Sequence, residues 1–343
     1  MRTALITGVA GLTLAPREAA FLKEARPAGL ILFARNLESH AQIRALVGAV
    51  CEAVGSHELL VLIDQEGGRV QRLRPPLGRK LPPAAAFGHD FKRDPDGAAA
   101  AAFAVARLLA DDLKALGINT NCAPVVDLPV PGSHEIIGDR AYGTDSAQVI
   151  ALAKAVAEGF MAGGVVPVIK HIPGHGRATA DSHLALPVVT ESRAELSATD
   201  FAPFKALSDM PAAMTAHVVF RSIDPKEPAS TSAIVTREII RGEIGFDGLL
   251  MSDDLSMKAL AGDMRARAQR VIAAGSDVAL HCNGGLTEMQ AAAAGVPALS
   301  GRPGERFAAA LAIAAKAQPF DSAAAEVHLA RVLTAAAGRA ESV

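Results

Sequence analysis

The stretch that follows the apolar run Val165–Ile169 carries the densest group of reactive side chains in the chain. Lys170 and His171 end the run, and Asp181 and His183 lie two positions apart further along. A carboxylate beside an imidazole can orient the ring and raise its pKa, so this second pair can exchange a proton near neutral pH. The alternative is a solvated loop with incidental polar residues. Because long loops without regular structure are typically lids or binding elements, the stretch is expected to serve catalysis.

Two adjacent carboxylates, Asp253 and Asp254, end another apolar run. Side chains alternate in direction along a strand, so only one of the two can point into a shared cleft. The other is expected to cap the next helical turn or to bind backbone. Alternatively, both carboxylates are residues of a helix start. One carboxylate is therefore available for chemistry.

A third polar cluster follows the apolar run that begins at Leu59. Asp64 can accept two hydroxyl hydrogen bonds, and Arg72 can bind a carbonyl or a carboxylate. Glu66 and Arg69, between them, are predicted to form a structural ion pair. A lysine at position 170 would be costly to bury unless it meets a polar ligand or a carboxylate. A structural salt bridge to a neighbouring strand is the alternative interpretation of that lysine.

Short apolar runs that end in polar residues recur along the chain and predict eight strands: Ala4–Thr7, Gly29–Phe33, Leu59–Asp64, Ile118–Asp127, Val165–His171, Ala212–His217, Gly248–Asp254 and Asp277–His281. Between most of them, apolar residues recur every three or four positions, which is typical of helices with one buried face. Alternating strands and helices imply parallel pairing, and eight strands close an α/β fold into a single (β/α)8 TIM barrel. The alternative is an open doubly wound sheet, but no Gly-x-Gly-x-x-Gly follows the first run. In a barrel the polar clusters would meet at the carboxyl ends of the strands.

Size and composition favour one domain over residues 1–343, with a helical, alanine-rich segment from about 302 to 340 packed on the barrel. The net charge of −2, with 34 basic and 36 acidic residues, offers no footprint for nucleic acid or for an anionic membrane. Three widely spaced cysteines form neither a disulfide framework nor a zinc motif, which favours a cytoplasmic location. The first twelve residues contain a single basic residue, so no cleaved signal peptide is expected.

Taken together, these segments resemble glycoside hydrolase family 3, in particular the single-domain β-N-acetylhexosaminidases of bacterial cell-wall recycling. The resemblance extends from Gly29 to about Asn283, and Ile172 stands where an aromatic residue is common in the family. It rests on motifs that occur in the family's order: Ile63–Val70, Asn121–Asp127, Lys170–His183, Met214–His217 and Ser252–Met257.

The resemblance implies a role for each of these clusters. Asp253 matches the nucleophile that forms a glycosyl-enzyme intermediate, and His183 matches the general acid/base, with Asp181 as its dyad partner. The residues that match the sugar-binding pocket are Asp64, Arg72, Arg140, Lys170 and His171. The implied activity is the removal of terminal N-acetylglucosamine from 1,6-anhydro-N-acetylmuramic acid and its peptides. A cytoplasmic monomer would act on this small sugar substrate without a cofactor or a metal.

Three other functions fit the same residues. A metal-dependent hydrolase on a barrel could use His171, His175, His183 and Asp253 as zinc ligands, although Pro173 and Gly174 keep the first two off a common helix face. A catalytically silent protein would bind the sugar without turnover. A phosphorylase would transfer the same sugar to phosphate instead of water.

Overall fold

The structure is a computed structural model that describes residues 1–178, 180, 182 and 186–340. Within this part of the chain, eight parallel strands form a closed barrel, in which the last strand pairs with the first. The barrel strands, labelled β1 to β8, are Thr3–Thr7, Pro27–Leu32, Leu60–Ile63, Thr120–Asn121, Val166–Ile172, Ala212–Thr215, Leu249–Asp254 and Val278–His281. The predicted TIM barrel is therefore confirmed, and the open sheet is not formed.

Helices connect the strands and cover the outside of the barrel. Helices α1 to α11 are Pro16–Ala25, His40–Val54, Ala84–Phe91, Pro95–Lys114, Ser146–Ala162, Arg193–Ala198, Phe201–Ala206, Met264–Ala273, Leu286–Ala293, Gly301–Ala314 and Ser322–Ala340. A π-helix, Val235–Glu243, makes the connection between β6 and β7. Two pairs of short strands lie outside the barrel: Gln65–Gly67 with Val70–Gln71, and Val188–Val189 with Val219–Phe220.

Helix α4 shows how local sequence sets these elements. The Asp94 side chain accepts a hydrogen bond from the backbone N–H of Gly97 at 2.9 Å and so caps the first turn. The helix ends before Gly117, whose φ of +80° suits glycine. Its buried face includes Val105, Leu109 and Leu113, the spacing from which a helix is predicted.

The fourth strand is shorter than predicted. The run Ile118–Asp127 contains only the two-residue strand β4, because Pro124 has no N–H to donate to a sheet ladder. The chain nevertheless stays beside β5, since the carbonyl of Pro124 accepts from the N–H of Lys170 at 3.2 Å. Position 127 therefore still reaches the carboxyl end of the barrel.

Residues of the strands alternate between two apolar layers. In β3, Leu60 and Leu62 join the cluster inside the barrel, whereas Val61 and Ile63 pack against the surrounding helices. Helix α10 contributes Phe307 and other residues to the inner cluster and covers the amino ends of the strands. The carboxyl ends remain open, as the barrel architecture requires for a site.

The C-terminal segment is helical, as its pattern predicts. Helix α11 contacts α4, where the Arg331 side chain donates a hydrogen bond to the carbonyl of Gly97 at 3.2 Å. Arg79 pairs with both Asp112 of α4 and Glu326 of α11. None of the helices in the described residues combines the length and apolar character required to cross a membrane.

Candidate active site

A cavity of about 280 Å³ opens at the carboxyl ends of the strands. Its volume lies near the lower end of the range of about 300–1,000 Å³ for small-molecule sites, which suits one sugar ring better than a polymer. Six residues predicted from the sequence line it: Asp64, Arg72, Arg140, Lys170, His171 and Asp253. The barrel brings together residues that lie far apart along the chain.

Strand alternation explains which side chains reach the cavity. In β7, Leu249 and Met251 point into the barrel and Leu250 points out, so Asp253 continues the inward series and Asp254 the outward one. The same alternation carries Asp64 inward beyond β3 and Lys170 inward along β5. Acidic and basic side chains thus replace apolar ones at the top of the barrel interior.

Five of the cavity residues form ion pairs with one another, and we call them the pocket ion network. The Lys170 ammonium lies 3.1 Å from Asp64 and 2.6 Å from Glu66. Arg72 donates to the second oxygen of Asp64 at 2.9 Å. Arg140 donates to both oxygens of Glu66, at 2.8 and 2.9 Å. Three cations therefore meet two anions, which leaves one positive charge in excess within the network.

The predicted ion pair between Glu66 and Arg69 is wrong. Arg69 instead lies 3.1 Å from Asp139 and donates to backbone carbonyls of residues 135–137 at the cavity rim. Gly67 and Gly68 have φ angles of +109° and +54°, a conformation that turns the chain between the two side chains. Glu66 consequently faces the cavity and Arg69 faces the rim.

The pocket ion network is ionised throughout the ordinary pH range. Burial acts to raise the pKa of Asp64, but Lys170 and Arg72 outweigh it and hold that pKa well below its usual range. The pKa of Glu66 is lowered against burial by Lys170 and Arg140. Burial would lower the pKa of Lys170, yet Glu66 and Asp64 raise it. The pocket ion network therefore presents fixed charges to the cavity.

Asp253 forms no direct ion pair within the described residues. One carboxylate oxygen accepts a hydrogen bond from the backbone N–H of Asp254 at 2.8 Å. Burial acts to raise the pKa of Asp253, but His217, His171, this N–H group and Lys170 lower it. The side chain is thus an anionic carboxylate at the cavity wall, the form that a nucleophile needs.

Asp254 is used by the backbone, as the alternation of side chains predicts. Its carboxylate accepts hydrogen bonds from the N–H groups of Ser256 and Cys282, both at 3.0 Å. The bond from Cys282 joins the exits of β7 and β8. The carboxylate of Asp253 is therefore the one of the two that is left for chemistry.

The other predicted catalytic residues, Asp181 and His183, lie outside the described residues. Ser182 is described, and its hydroxyl lies 3.0 Å from Nε2 of His175 at the cavity wall. Burial, and then the neighbouring His171, lower the pKa of His175 to about 4. A neutral imidazole therefore contacts the stretch in which the predicted acid/base dyad lies.

Comparison with known proteins places this chain in a family. The model of the glycosyl hydrolase family 3 N terminal domain matches residues 7–312. The chain belongs to glycosyl hydrolase family 3. The family inferred from the motifs is confirmed, and the protein is a glycoside hydrolase that groups with the β-hexosaminidases of that family.

Two beta-hexosaminidases illustrate the likeness in sequence. Those of Bordetella avium (strain 197N) and Alkalilimnicola ehrlichii are each 40% identical to the family 3 chain over 283 residues. In both cases the match covers 81% of this chain and 80% of the relative.

Solved family 3 structures show the same likeness in fold. NagZ from Neisseria gonorrhoeae, in complex with N-trifluoroacetyl-D-glucosamine, superposes with a TM-score of 0.85 at 33% identity, over 96% of this chain and 98% of that one. A family 3 β-N-acetylglucosaminidase from Paenibacillus sp. str. FPU-7 has a TM-score of 0.78 at 31% identity, over 97% of this chain and 61% of that one.

Sequence reasoning placed two buried residues at strand ends but assigned them no role in this family 3 pocket. His217 donates from Nε2 to the carbonyl of Asp254 at 3.0 Å, and its Nδ1 accepts from the hydroxyl of Ser230 at 2.6 Å. Asp127 is fully buried and lies 2.7 Å from Nδ1 of His171. Both residues end predicted strands, which was the available signal, but their partners come from other segments of the chain.

The four candidate zinc ligands do not assemble as a group in the described residues. Three of them, His171, His175 and Asp253, line the cavity, and the fourth, His183, lies outside the described part. Within that part, no three histidine, cysteine, aspartate or glutamate side chains are arranged to hold a metal ion. One ring nitrogen of His171, Nδ1, already forms a hydrogen bond with Asp127.

Proposed function

We propose that the protein is a retaining exo-β-N-acetylglucosaminidase. Its substrates would be peptidoglycan fragments in which terminal N-acetylglucosamine is linked to 1,6-anhydro-N-acetylmuramic acid, with or without a peptide. The observation that carries the proposal is the anionic Asp253 carboxylate, which lies at the wall of a cavity sized for one ring. The family membership and the β-hexosaminidase relatives support the sugar class.

In the proposed reaction, a carboxylate oxygen of Asp253 attacks C1 of the aminosugar and forms a covalent glycosyl ester. His183, oriented by Asp181, donates a proton to the departing glycosidic oxygen. The same imidazole then takes a proton from water, which hydrolyses the ester and restores Asp253. Such proton transfers contribute about 10²–10⁴-fold to the rate.

The pocket ion network and His171 would hold the sugar ring during both steps. Asp64 can accept hydrogen bonds from hydroxyl groups, while Lys170 and the two arginines can donate to ring substituents. Nε of Arg72 is buried without a hydrogen-bond partner in the described residues, which suits a donor that waits for a ligand. We assign the ring-binding role to Asp64, Arg72, Arg140, Lys170 and His171.

The remaining proposals concern cellular context. The protein would act as a monomer in the cytoplasm on a small sugar ligand, and would bind neither nucleic acid nor membrane. Its net charge of −2 supports the absence of a nucleic-acid surface.

The decisive experiment replaces the nucleophile. Asp253→Asn should lower turnover of a chromogenic N-acetyl-β-glucosaminide by about 10³-fold or more while N-acetylglucosamine still binds, because the lost oxygen forms the covalent bond. Asp209→Asn, at an exposed position, is the matched control and should behave like the wild type. Mass spectrometry after trapping with a 2-fluoro sugar should place the label on Asp253, and a label on any other residue would refute the assignment.

The acid/base dyad is tested with leaving groups. His183→Ala should slow substrates with poor leaving groups far more than activated aryl glycosides, since only the former need a proton on departure. Equal damage to both substrate types would argue against a proton donor at position 183. Faster turnover in phosphate would favour the phosphorylase, and loss of turnover with a chelator would favour the metal-dependent hydrolase.

A further inference from the structure

Asp127 is a fully buried carboxylate that contacts two cavity residues without lining the cavity itself. One of its oxygens lies 2.7 Å from Nδ1 of His171. The other accepts the backbone N–H of His175 at 2.7 Å and that of His171 at 3.2 Å. Burial acts to raise the pKa of Asp127, but His171 and His175 lower it, so the group is ionised.

An ionised carboxylate only accepts hydrogen bonds. At 2.7 Å from the carboxylate, Nδ1 of His171 must therefore carry the proton. In the neutral ring, the lone pair then lies on Nε2. The His171 side chain lines the cavity, and Nε2 makes no hydrogen bond to any residue that the structure describes. The free nitrogen is thus available to a ligand.

We propose that Asp127 is a positioning residue that holds His171 in the Nδ1–H tautomer, so that Nε2 accepts a hydrogen bond from a hydroxyl group of the bound sugar. The proposal rests on the proposed function, which assigns His171 to the sugar-binding pocket. It adds a specificity rule: the ligand group opposite His171 is a donor, such as a hydroxyl, and not a carbonyl oxygen.

The geometry at Asp127 allows the proton effect to be separated from the backbone effect. Asparagine is isosteric with aspartate, and its amide oxygen can keep the two backbone N–H bonds. Its NH₂ group would then face Nδ1 of His171 and would donate to it. Asp127→Asn should therefore move the ring proton to Nε2 and turn the cavity-facing acceptor into a donor.

The first measurement is direct and needs no variant. ¹⁵N NMR of the histidine side chains in the free wild-type enzyme should show His171 with a protonated Nδ1 above neutral pH. Nε2 of the same ring should be unprotonated, and a protonated Nε2, with or without a proton on Nδ1, would overturn the proposal. In Asp127→Asn the same signals should change to the Nε2–H pattern.

The second measurement is kinetic. Asp127→Asn should lower kcat/KM for the chromogenic glycoside by about 10–100-fold, by analogy with the loss caused by removing the carboxylate partner of a metal-binding histidine. Most of the loss should appear in KM and in the inhibition constant of N-acetylglucosamine, because a hydroxyl contact acts in the ground state as well as in the transition state. Unchanged constants would refute the proposal.

Two further variants distinguish positioning from general support of the fold. In a His171→Gln background, Asp127→Asn should cause little further loss, since the group through which Asp127 acts is already gone. A full additional loss there would mean that Asp127 acts through the backbone alone. Asp224→Asn is the matched control, because Asp224 is a buried carboxylate that accepts two backbone N–H groups but contacts no imidazole among the described residues. It should leave KM unchanged.

Failure of the Asp127 proposal can be distinguished from failure of the proposed catalytic function. Tautomer and N-acetylglucosamine binding are measured without turnover, so they report on Asp127 whatever the nucleophile is. Labelling of a residue other than Asp253 would overturn the proposed mechanism and leave these two results in place.

Discussion

The two ends of the barrel each hold a cluster of arginine and carboxylate side chains, but the charges balance in only one of the two clusters. At the amino ends of β7 and β8, Asp277 pairs with Arg241 at 2.8 Å and with Arg306 at 2.9 Å. Asp247 pairs with Arg306 and Arg302. We call these five residues, together with Glu305, which pairs with Arg302, the base ion network.

The base ion network also satisfies the nearby backbone. Asp277 accepts the N–H of Leu250 at 2.8 Å, and Arg241 donates to the carbonyls of Phe246 and Gly248, both at 2.9 Å. Arg302 has a further acidic partner in Glu305. Three cations thus meet three anions, as expected for a cluster that supports the fold.

The pocket ion network differs in its charge and in its unused atoms. The network has one positive charge in excess, and its Lys170 acts electrostatically on Asp253, a carboxylate without a direct ion pair in the described residues. Nε of Arg72 and Nδ1 of His175 are buried there without partners among those residues. The difference teaches that a barrel can use the same residue types for stability at one end and for ligand binding at the other.

The largest contrast is expected when one cation is removed from the pocket end. In Lys170→Met, Asp64 keeps Arg72 and Glu66 keeps Arg140, so the free energy of unfolding should change little. Activity should fall by about 10²-fold or more, because the sugar and Asp253 lose a fixed charge and ring placement suffers. Urea unfolding and kcat/KM measured side by side check both statements. If Lys170→Met were active but unstable, the pocket ion network would serve stability like the base ion network, and the contrast between the two ends would be wrong.

The matched change at the base is Arg306→Met, which should do the opposite. It removes a charged hydrogen bond to the buried Asp277, which contributes about 1.5–3 kcal/mol to the free energy of unfolding. The lost pair with the exposed Asp247 contributes about 0–1 kcal/mol. The activity per folded molecule should stay at the wild-type level. A fall in kcat/KM without a fall in stability would show that the base ion network influences catalysis.

The smallest expected effect is a change in the pH dependence of stability, and it involves only the pocket end of the barrel. His175 has a pKa of about 4 in the fold, against about 6.5 in the unfolded chain. Below pH 6.5 the His175 side chain binds a proton in the unfolded chain, whereas in the folded chain it stays neutral down to about pH 4. This residue therefore lowers the free energy of unfolding as pH falls from 6.5 to about 4.

His175→Gln should remove that dependence. Between pH 6.5 and 5.5, the free energy of unfolding of this variant, measured with urea, should fall by about 1 kcal/mol less than that of the wild type. Carboxylates with lowered pKa values titrate below this window and do not disturb the comparison. His57→Gln, at an exposed position, is the control. Parallel pH curves for His175→Gln and the wild type would contradict the expected proton uptake.

The fold was predictable because it depends on local pattern, whereas the set of pocket residues came from the resemblance to the family. Apolar runs with polar ends predict the eight strands, and the order of the motifs predicts the family. Alternation along β7 anticipates that only one of Asp253 and Asp254 can face the cavity. The partner of Glu66 was not predictable, because Arg140 and Lys170 lie more than seventy positions away and the turn at Gly67 decides the direction of the side chain.

The sequence by itself determined the kinds of groups that reach the top of the barrel, since strand period and apolar spacing are local properties of the chain. Only the tertiary structure decided which charges meet. Closure of the barrel places Lys170 between Asp64 and Glu66, and Asp127 against His171. Electrostatic interactions fall off with distance and strengthen with burial, so partnership and ionisation depend on three-dimensional placement that residue order does not contain.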